Sequence, residues 1–232
     1  MKKKTVGIIG GMGPLATADL FKKIVLNTKA ESDQEHLKVL VDNNTDISDR
    51  TSAILYGGKN PVPQLTKSAL LLWAMGAEVL VMPCNTAHYF YNDVQNAVDI
   101  PVLHMIEITC NSLLKKGIKK AGLLATDGTI ESGIYQGVFD KSGIELLKPD
   151  TYGQKEIMDM IYKGVKAGKK DYDTKKIREI LDKLISDGAE TLILGCTELP
   201  LAFDMYNLNY ETCDPTLELA KAAVLTCGKE CV

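Results

Sequence analysis

The chain has 232 residues, of which 45% are hydrophobic, 25% charged and 6% aromatic, with a formal net charge of -3. These values exclude a disordered, collagenous or coiled-coil chain, and this length builds a core without disulfides or metal. The mild acidity argues against nucleic acid, whose phosphates demand a basic stripe, since acids closely follow the basic doublets here, and no run approaches the roughly 20 apolar residues of a membrane helix.

The first apolar run follows Lys2-Lys3-Lys4. It breaks up at Gly10-Gly11-Met12-Gly13-Pro14 and meets Asp19, so it reads as a strand and not as a signal peptide. The expected location is therefore the cytoplasm, where thiols stay reduced. Further apolar runs follow in chain order, and the seven segments 5–9, 37–41, 79–82, 102–105, 121–125, 144–147 and 191–194 predict strands. Amphipathic stretches at 16–28, 63–75, 175–186 and 215–226 predict helices between and after them. Pro14 suits a first helical position, and Asp214-Pro215 pairs an N-cap with a first-turn proline. Strand-helix alternation with nearly continuous apolar strands predicts an α/β fold with parallel sheets covered on both faces.

An internal repeat refines that expectation. Gly76-Ala77-Glu78-Val79-Leu80-Val81-Met82-Pro83-Cys84 aligns with Gly188-Ala189-Glu190-Thr191-Leu192-Ile193-Leu194-Gly195-Cys196. At almost the same offset, residues 6–13 align with residues 121–128, with Gly7 matching Gly122. The repeat predicts two pseudo-symmetric lobes, each a parallel-sheet α/β sandwich, with the active site in the cleft between them. The first lobe spans 1–100 and is completed by 205–232; the second spans 101–204.

Six cysteines are present, and Cys227 and Cys231 form a C-x3-C without a partner pair or nearby histidine, too little for a zinc site. No metal and no cofactor is expected. Cys84 and Cys196 differ from the rest. Each ends an apolar strand, where functional groups gather in open parallel sheets. Each precedes residues able to cap a helix, Asn85 and Thr86 in one case, Thr197 and Glu198 in the other. A helix N-terminus would lower the thiol pKa. Two thiols supplied by related lobes suit proton transfer at a stereocentre: one removes a proton from one face, the other delivers a proton to the opposite face.

These blocks resemble a known family. Gly10-Gly11-Met12-Gly13-Pro14, Pro83-Cys84-Asn85-Thr86-Ala87-His88 and Gly195-Cys196-Thr197-Glu198-Leu199 are similar to signatures of the aspartate/glutamate racemase family, in its aspartate racemase branch. The resemblance also covers Asp49-Arg50-Thr51, residues 124–129 and Tyr162-Lys163-Gly164-Val165-Lys166. It implies a cofactor-independent amino-acid racemase, a homodimer, with Cys84 and Cys196 catalytic. The glutamate branch opens with an Asp-Ser-Gly block, and Gly10-Gly11-Met12 departs from it. The matching positions Met12, Arg50, Asn85, Thr86, Thr126, Lys166, Thr197 and Glu198 are the expected substrate-binding residues. Arg50 can grip a carboxylate with two parallel hydrogen bonds. Asn85, Thr86, Thr126 and Thr197 can cap turns or donate to an α-carboxylate. Glu198 can bind an ammonium group or cap a helix.

Three other readings compete. Gly11-Met12-Gly13-Pro14-Leu15-Ala16 fits a loose dinucleotide fingerprint, with Asp42 ending the next strand; the second lobe lacks that fingerprint. A two-lobed, non-catalytic protein for a small acidic ligand would close without exchanging an α-hydrogen. One-cysteine relatives such as decarboxylases keep the fold with other chemistry, and the paired cysteines speak against them.

Overall fold

The computed structural model describes residues 3–232. Its elements run β1 (Val6–Gly10), α1 (Pro14–Asn27), β2 (Val39–Asn43), α2 (Arg50–Leu55), α3 (Val62–Ala74), β3 (Val79–Val81), α4 (Tyr91–Asn96), α5 (Met105–Lys115), β4 (Lys120–Leu124), α6 (Asp127–Glu131) and α7 (Ile134–Phe139). They continue with β5 (Glu145–Leu147), α8 (Thr151–Asp159), α9 (Lys175–Ser186), β6 (Thr191–Leu194), α10 (Leu199–Met205), β7 (Thr212–Cys213) and α11 (Pro215–Thr226). The chain divides into two compact units. One contains the residues through Ile108 together with Thr216–Val232; the other is Thr109–Pro215. The first holds a parallel sheet in the order β2-β1-β3, the second a parallel sheet in the order β5-β4-β6-β7. The strands β1, β3 and β6 are buried along their whole length, as a sheet covered on both faces requires.

The repeated sequence has the same physical content in both units. Gly76 and Gly188 adopt φ of 96° and 103°, a left-handed turn that ends the preceding helix and that glycine takes without steric cost. The following alanine amides close the turn, Ala77 onto the Leu72 carbonyl and Ala189 onto the Leu184 carbonyl, each at 3.0 Å. The repeated glutamates then grip the neighbouring strand. Glu78 Oε2 accepts from the Thr5 amide at 3.0 Å, and Glu190 Oε1 accepts from the Lys119 and Lys120 amides at 2.7 and 3.0 Å. Gly7 lies beside Leu80, and Gly122 beside Leu192, in the same register. A Cβ on Gly7 would sit 2.6 Å from Leu80 Cδ2 and 2.9 Å from Ala77 Cβ; on Gly122 it would sit 2.7 Å from Leu192 Cδ2 but 3.6 Å from Ala189 Cβ. The glycines thus let the turn alanine and the strand leucine pack onto the neighbouring strand.

One expected strand is replaced. Residues 102–105 form only a single parallel bridge, Leu80 to Val102, and Met105 already begins α5. The Leu80 amide donates to the Pro101 carbonyl and the Leu80 carbonyl accepts from the Leu103 amide, each at 2.9 Å, and side chains hold the Val102 groups on the other edge. Gln95 Oε1 accepts from the Val102 amide at 2.8 Å, and the Tyr91 hydroxyl donates to the Val102 carbonyl at 2.9 Å. His104 Nδ1 then accepts from the Glu107 amide at 3.3 Å, which caps the start of α5. The two-residue strand β7 and the short helices α2, α4, α6, α7 and α10 fall outside the expected elements, because they span too few residues to show a period.

His88 fixes the loop after β3. It is buried, and its Nε2 accepts from the Met105 amide at 3.1 Å. The proton is therefore on Nδ1, which donates to the Cys84 carbonyl at 2.9 Å. This histidine ties the residue that follows the sheet to the start of α5. Burial, and then the neighbouring His104, push its pKa down from 6.5 to about 4.

Two predictions follow from this packing. Gly7→Ala costs about 1–3 kcal/mol of folding stability, from overpacking against Ala77. Gly122→Ala costs less, because only the tip of Leu192 must move; urea midpoints of the two variants check the order. The unfolded chain takes up the His88 proton at pH 6.5 and the native chain only near 4. This contribution to stability is complete above pH 6.5 and is lost as pH falls toward 4, amounting to about 3 kcal/mol. In denaturation series over that pH range, His88→Gln flattens the slope.

Candidate active site

The first unit brings Cys84, Asn85 and Thr86 to the exit of β3, all buried. A 3-10 turn, Thr86–Phe90, follows them in place of an α-helix, and Asn85 does not cap it through its side chain. Cys84 and Met12 belong to one apolar cluster with Ile9, Ala87 and Met82. Arg50, at the start of α2, donates through Nη2 to the Met12 carbonyl at 3.2 Å and through Nη1 to the Ser48 carbonyl at 3.1 Å. The guanidinium therefore ties the loop after β1 to the loop after β2. Gly11, at φ 91°, lies so close to Asn44 that a Cβ would collide with its backbone. Thr17 completes the loop: its Oγ1 accepts from the Gly11 amide at 2.9 Å and donates to the Gly13 carbonyl at 3.1 Å. A dinucleotide fingerprint offers its glycine amides to pyrophosphate, and here the Gly11 amide is bonded to Thr17.

The second unit brings Cys196, Thr197 and Glu198 to the exit of β6, with Cys196 and Thr197 buried. The Cys196 thiol donates to Glu198 Oε2 at 2.9 Å, and the Thr197 hydroxyl donates to the same oxygen at 3.3 Å. The other oxygen, Oε1, faces Lys166 Nζ at 3.6 Å. Lys166 also lies 4.3 Å above the Tyr162 ring. Both come from the stretch after α8, where Met160–Val165 is wound as a π-helix. Such wide turns recur at functional sites because they redirect one side chain within a helix. Glu198 stands at the N-cap position of α10 but makes no side-chain cap; its carboxylate serves Cys196 and Lys166 instead.

The expected lowering of the thiol pKa is reversed at Cys196. Burial pushes it well above its ordinary value, and the Glu198 charge and hydrogen bond add to that. The Glu198 amide and Lys166 pull the other way and do not prevail. The Glu198 carboxylate, at the N-cap position of this seven-residue helix, opposes the positive end of its dipole.

Thr126 is buried at the exit of β4, with its hydroxyl 3.2 Å from that of Thr129; it does not cap α6. Gln154 shapes this loop by donating to the Ala125 carbonyl at 3.0 Å and to Asp127 Oδ1 at 2.7 Å. Gln154, Thr17 and Tyr162 lie outside the residues expected from sequence. A glutamine or threonine within a helix carries no local signal of its role, whereas Tyr162 stood inside the block with Lys166 and could have been taken from it. Among the described residues no three or more His, Cys, Asp or Glu gather as a metal site.

The Asp/Glu/Hydantoin racemase family model matches residues 9–224. The broad specificity amino-acid racemase RacX of Bacillus subtilis is 28% identical over 234 residues, covering 95% of this chain and 97% of that one. The solved structure of Picrophilus torridus aspartate racemase is similar with a TM-score of 0.83 at 34% identity, over 99% of this chain and 96% of that one. Glutamate racemase from Francisella tularensis shares the fold, with a TM-score of 0.69 at 20% identity, over 97% and 81% of the two chains. The α/β fold, the match across nearly the whole chain and the paired cysteine blocks agree: the chain belongs to the Asp/Glu/Hydantoin racemase family.

Proposed function

We propose that this amino-acid racemase interconverts L- and D-aspartate, with or without glutamate, without a cofactor, using Cys84 and Cys196 as the two opposing acid–base groups. One sulfur, as thiolate, takes the α-hydrogen as a proton. The other, as thiol, delivers a proton to the opposite face, and the roles exchange in the reverse direction. The observation that carries the reading is the Cys196 thiol, buried at a strand exit and hydrogen-bonded to a carboxylate. That group is a proton donor in its resting state, and its counterpart in the repeat is Cys84.

The α-hydrogen is a very weak acid, and no pyridine ring drains charge from the carbon in this scheme. Donors to the substrate carboxylate must do that work in a dry pocket. Asn85, Thr86, Thr126 and Thr197 supply such donors, and each is buried at a strand exit. Met12 lines the loop through which Arg50 binds, and Arg50 and Lys166 offer positive charge to the two carboxylates of aspartate. The Picrophilus aspartate racemase, with 34% identity over nearly the whole chain, supports aspartate as substrate. We also propose that the protein acts as a homodimer in the cytoplasm. Leu15 and Leu26 on α1, Leu70, Leu71 and Met75 on or just after α3, and Leu225 on α11 present apolar surface that a second copy would cover. No helix among the described residues is long and apolar enough to cross a membrane.

The purified, cofactor-free protein is expected to convert L-aspartate to the racemate in a chiral assay, and in heavy water the product enantiomer carries deuterium at the α-carbon. Cys84→Ala or Cys196→Ala lowers racemisation by about 10²–10⁴-fold while the far-UV spectrum is kept. A single variant as active as the parent would end the two-base reading. Arg50→Lys lowers kcat/KM for aspartate by about 10–100-fold, since the point charge of lysine replaces a charge-assisted fork worth about 1.5–3 kcal/mol. For alanine, which lacks the second carboxylate, the loss is smaller; equal losses for both substrates would take Arg50 out of substrate recognition.

A further inference from the structure

The contact between Cys196 and Glu198 raises a question that the two-thiol scheme leaves open. In one direction of the reaction Cys196 donates its proton and is already in the right state. In the other it must be a thiolate, and its resting environment opposes that. The sulfur is buried, and Glu198 places a second negative charge beside it. Burial and that carboxylate both push the thiol pKa up. The charged and titratable groups facing the sulfur are Glu198, Lys166 and Tyr135, with Cys213 and Asp214 near Tyr135. The one hydrogen bond that the thiol donates ends on Glu198 Oε2.

Building on the two-thiol reading, we propose that Glu198 is a positioning residue and proton acceptor for Cys196, the group that arms this thiol for its turn as base. The proton passes along the existing hydrogen bond: the S–H bond breaks and an O–H bond forms on Oε2, leaving a thiolate beside a neutral carboxyl. The thiolate then takes the substrate's α-hydrogen as a proton. That C–H bond breaks, its electron pair stays with the substrate, and S–H forms again. When the proton returns to carbon, the thiolate recovers its own proton from Glu198. The pair thus never holds two negative charges at once, which a buried site would resist. Lys166, 3.6 Å from Oε1, keeps the carboxylate turned with Oε2 toward sulfur. Glu198 in this role serves the protein and not the substrate ammonium.

Hydrogen exchange in heavy water isolates the step. In Cys84→Ala, Cys196 is the sole remaining thiol of the pair, and it exchanges the α-hydrogen of one enantiomer for deuterium with retention. Adding Glu198→Gln, which keeps an acceptor but takes no proton, lowers that exchange by about 10²-fold or more. Adding Glu198→Asp keeps a measurable part of it. In Cys196→Ala, Cys84 exchanges the opposite enantiomer, and Glu198→Gln lowers that rate at least tenfold less than it lowers exchange in Cys84→Ala. Two results overturn the proposal: undiminished exchange in Cys84→Ala/Glu198→Gln, or equal losses in both backgrounds, which would make Glu198 a substrate or structural contact. Absence of exchange from Cys84→Ala itself, alongside an active parent, would instead refute the independent action of the two thiols and remove the basis of the proposal.

Discussion

Close approach between a glycine on one strand and a leucine on the next governs how each unit is built. Gly7 against Leu80 and Gly122 against Leu192 let a helix end, a turn alanine and a central strand pack without a gap. The turn before each strand is set by Gly76 or Gly188 in a left-handed conformation, and the glutamate two residues later fastens the neighbouring strand by its amides. With the turn, the register and the strand length fixed, the start of the loop leaving the strand is fixed as well. In both units that loop carries a cysteine, Cys84 after Met82 and Pro83, Cys196 after Gly195. The thiols are therefore placed by backbone constraints many residues upstream.

The two strand exits share a design but not an electrostatic setting. The Cys84 backbone is held by His88, a neutral, buried imidazole that also takes the first amide of α5. The Cys196 side chain itself is engaged, by a carboxylate that a lysine holds from its other oxygen. A duplicated framework thus carries two thiols whose surroundings differ, which suits the proposed pair with one acid and one base at any instant.

Much of the fold could be read from the chain because its signals were local and periodic. The helices at 175–186 and 215–226 have those limits in the structure, and six of the seven expected strands lie over or beside real ones. The seventh, 102–105, is a single bridge because α5 already begins at Met105, a boundary that apolar composition does not mark. The site was legible where residues are neighbours in sequence, as in Cys196-Thr197-Glu198. It was not legible where they meet across distance. The bond from Arg50 to Met12 and the approach of Lys166 to Glu198 depend on loop geometry and a π-helical turn. Charge effects were the least legible: the helix dipole alone predicts the opposite sign at Cys196, because burial and Glu198 outweigh it.

The protonated state of Cys196 also bears on survival. Peroxides and electrophiles attack thiolates, and a sulfur that climbs past the sulfenic acid is lost to catalysis. A resting thiol, shielded from solvent and bonded to a carboxylate, is a slow target. On the proposed two-thiol reading, the sulfur most exposed to irreversible damage by its chemical role is thus kept protonated in the resting protein.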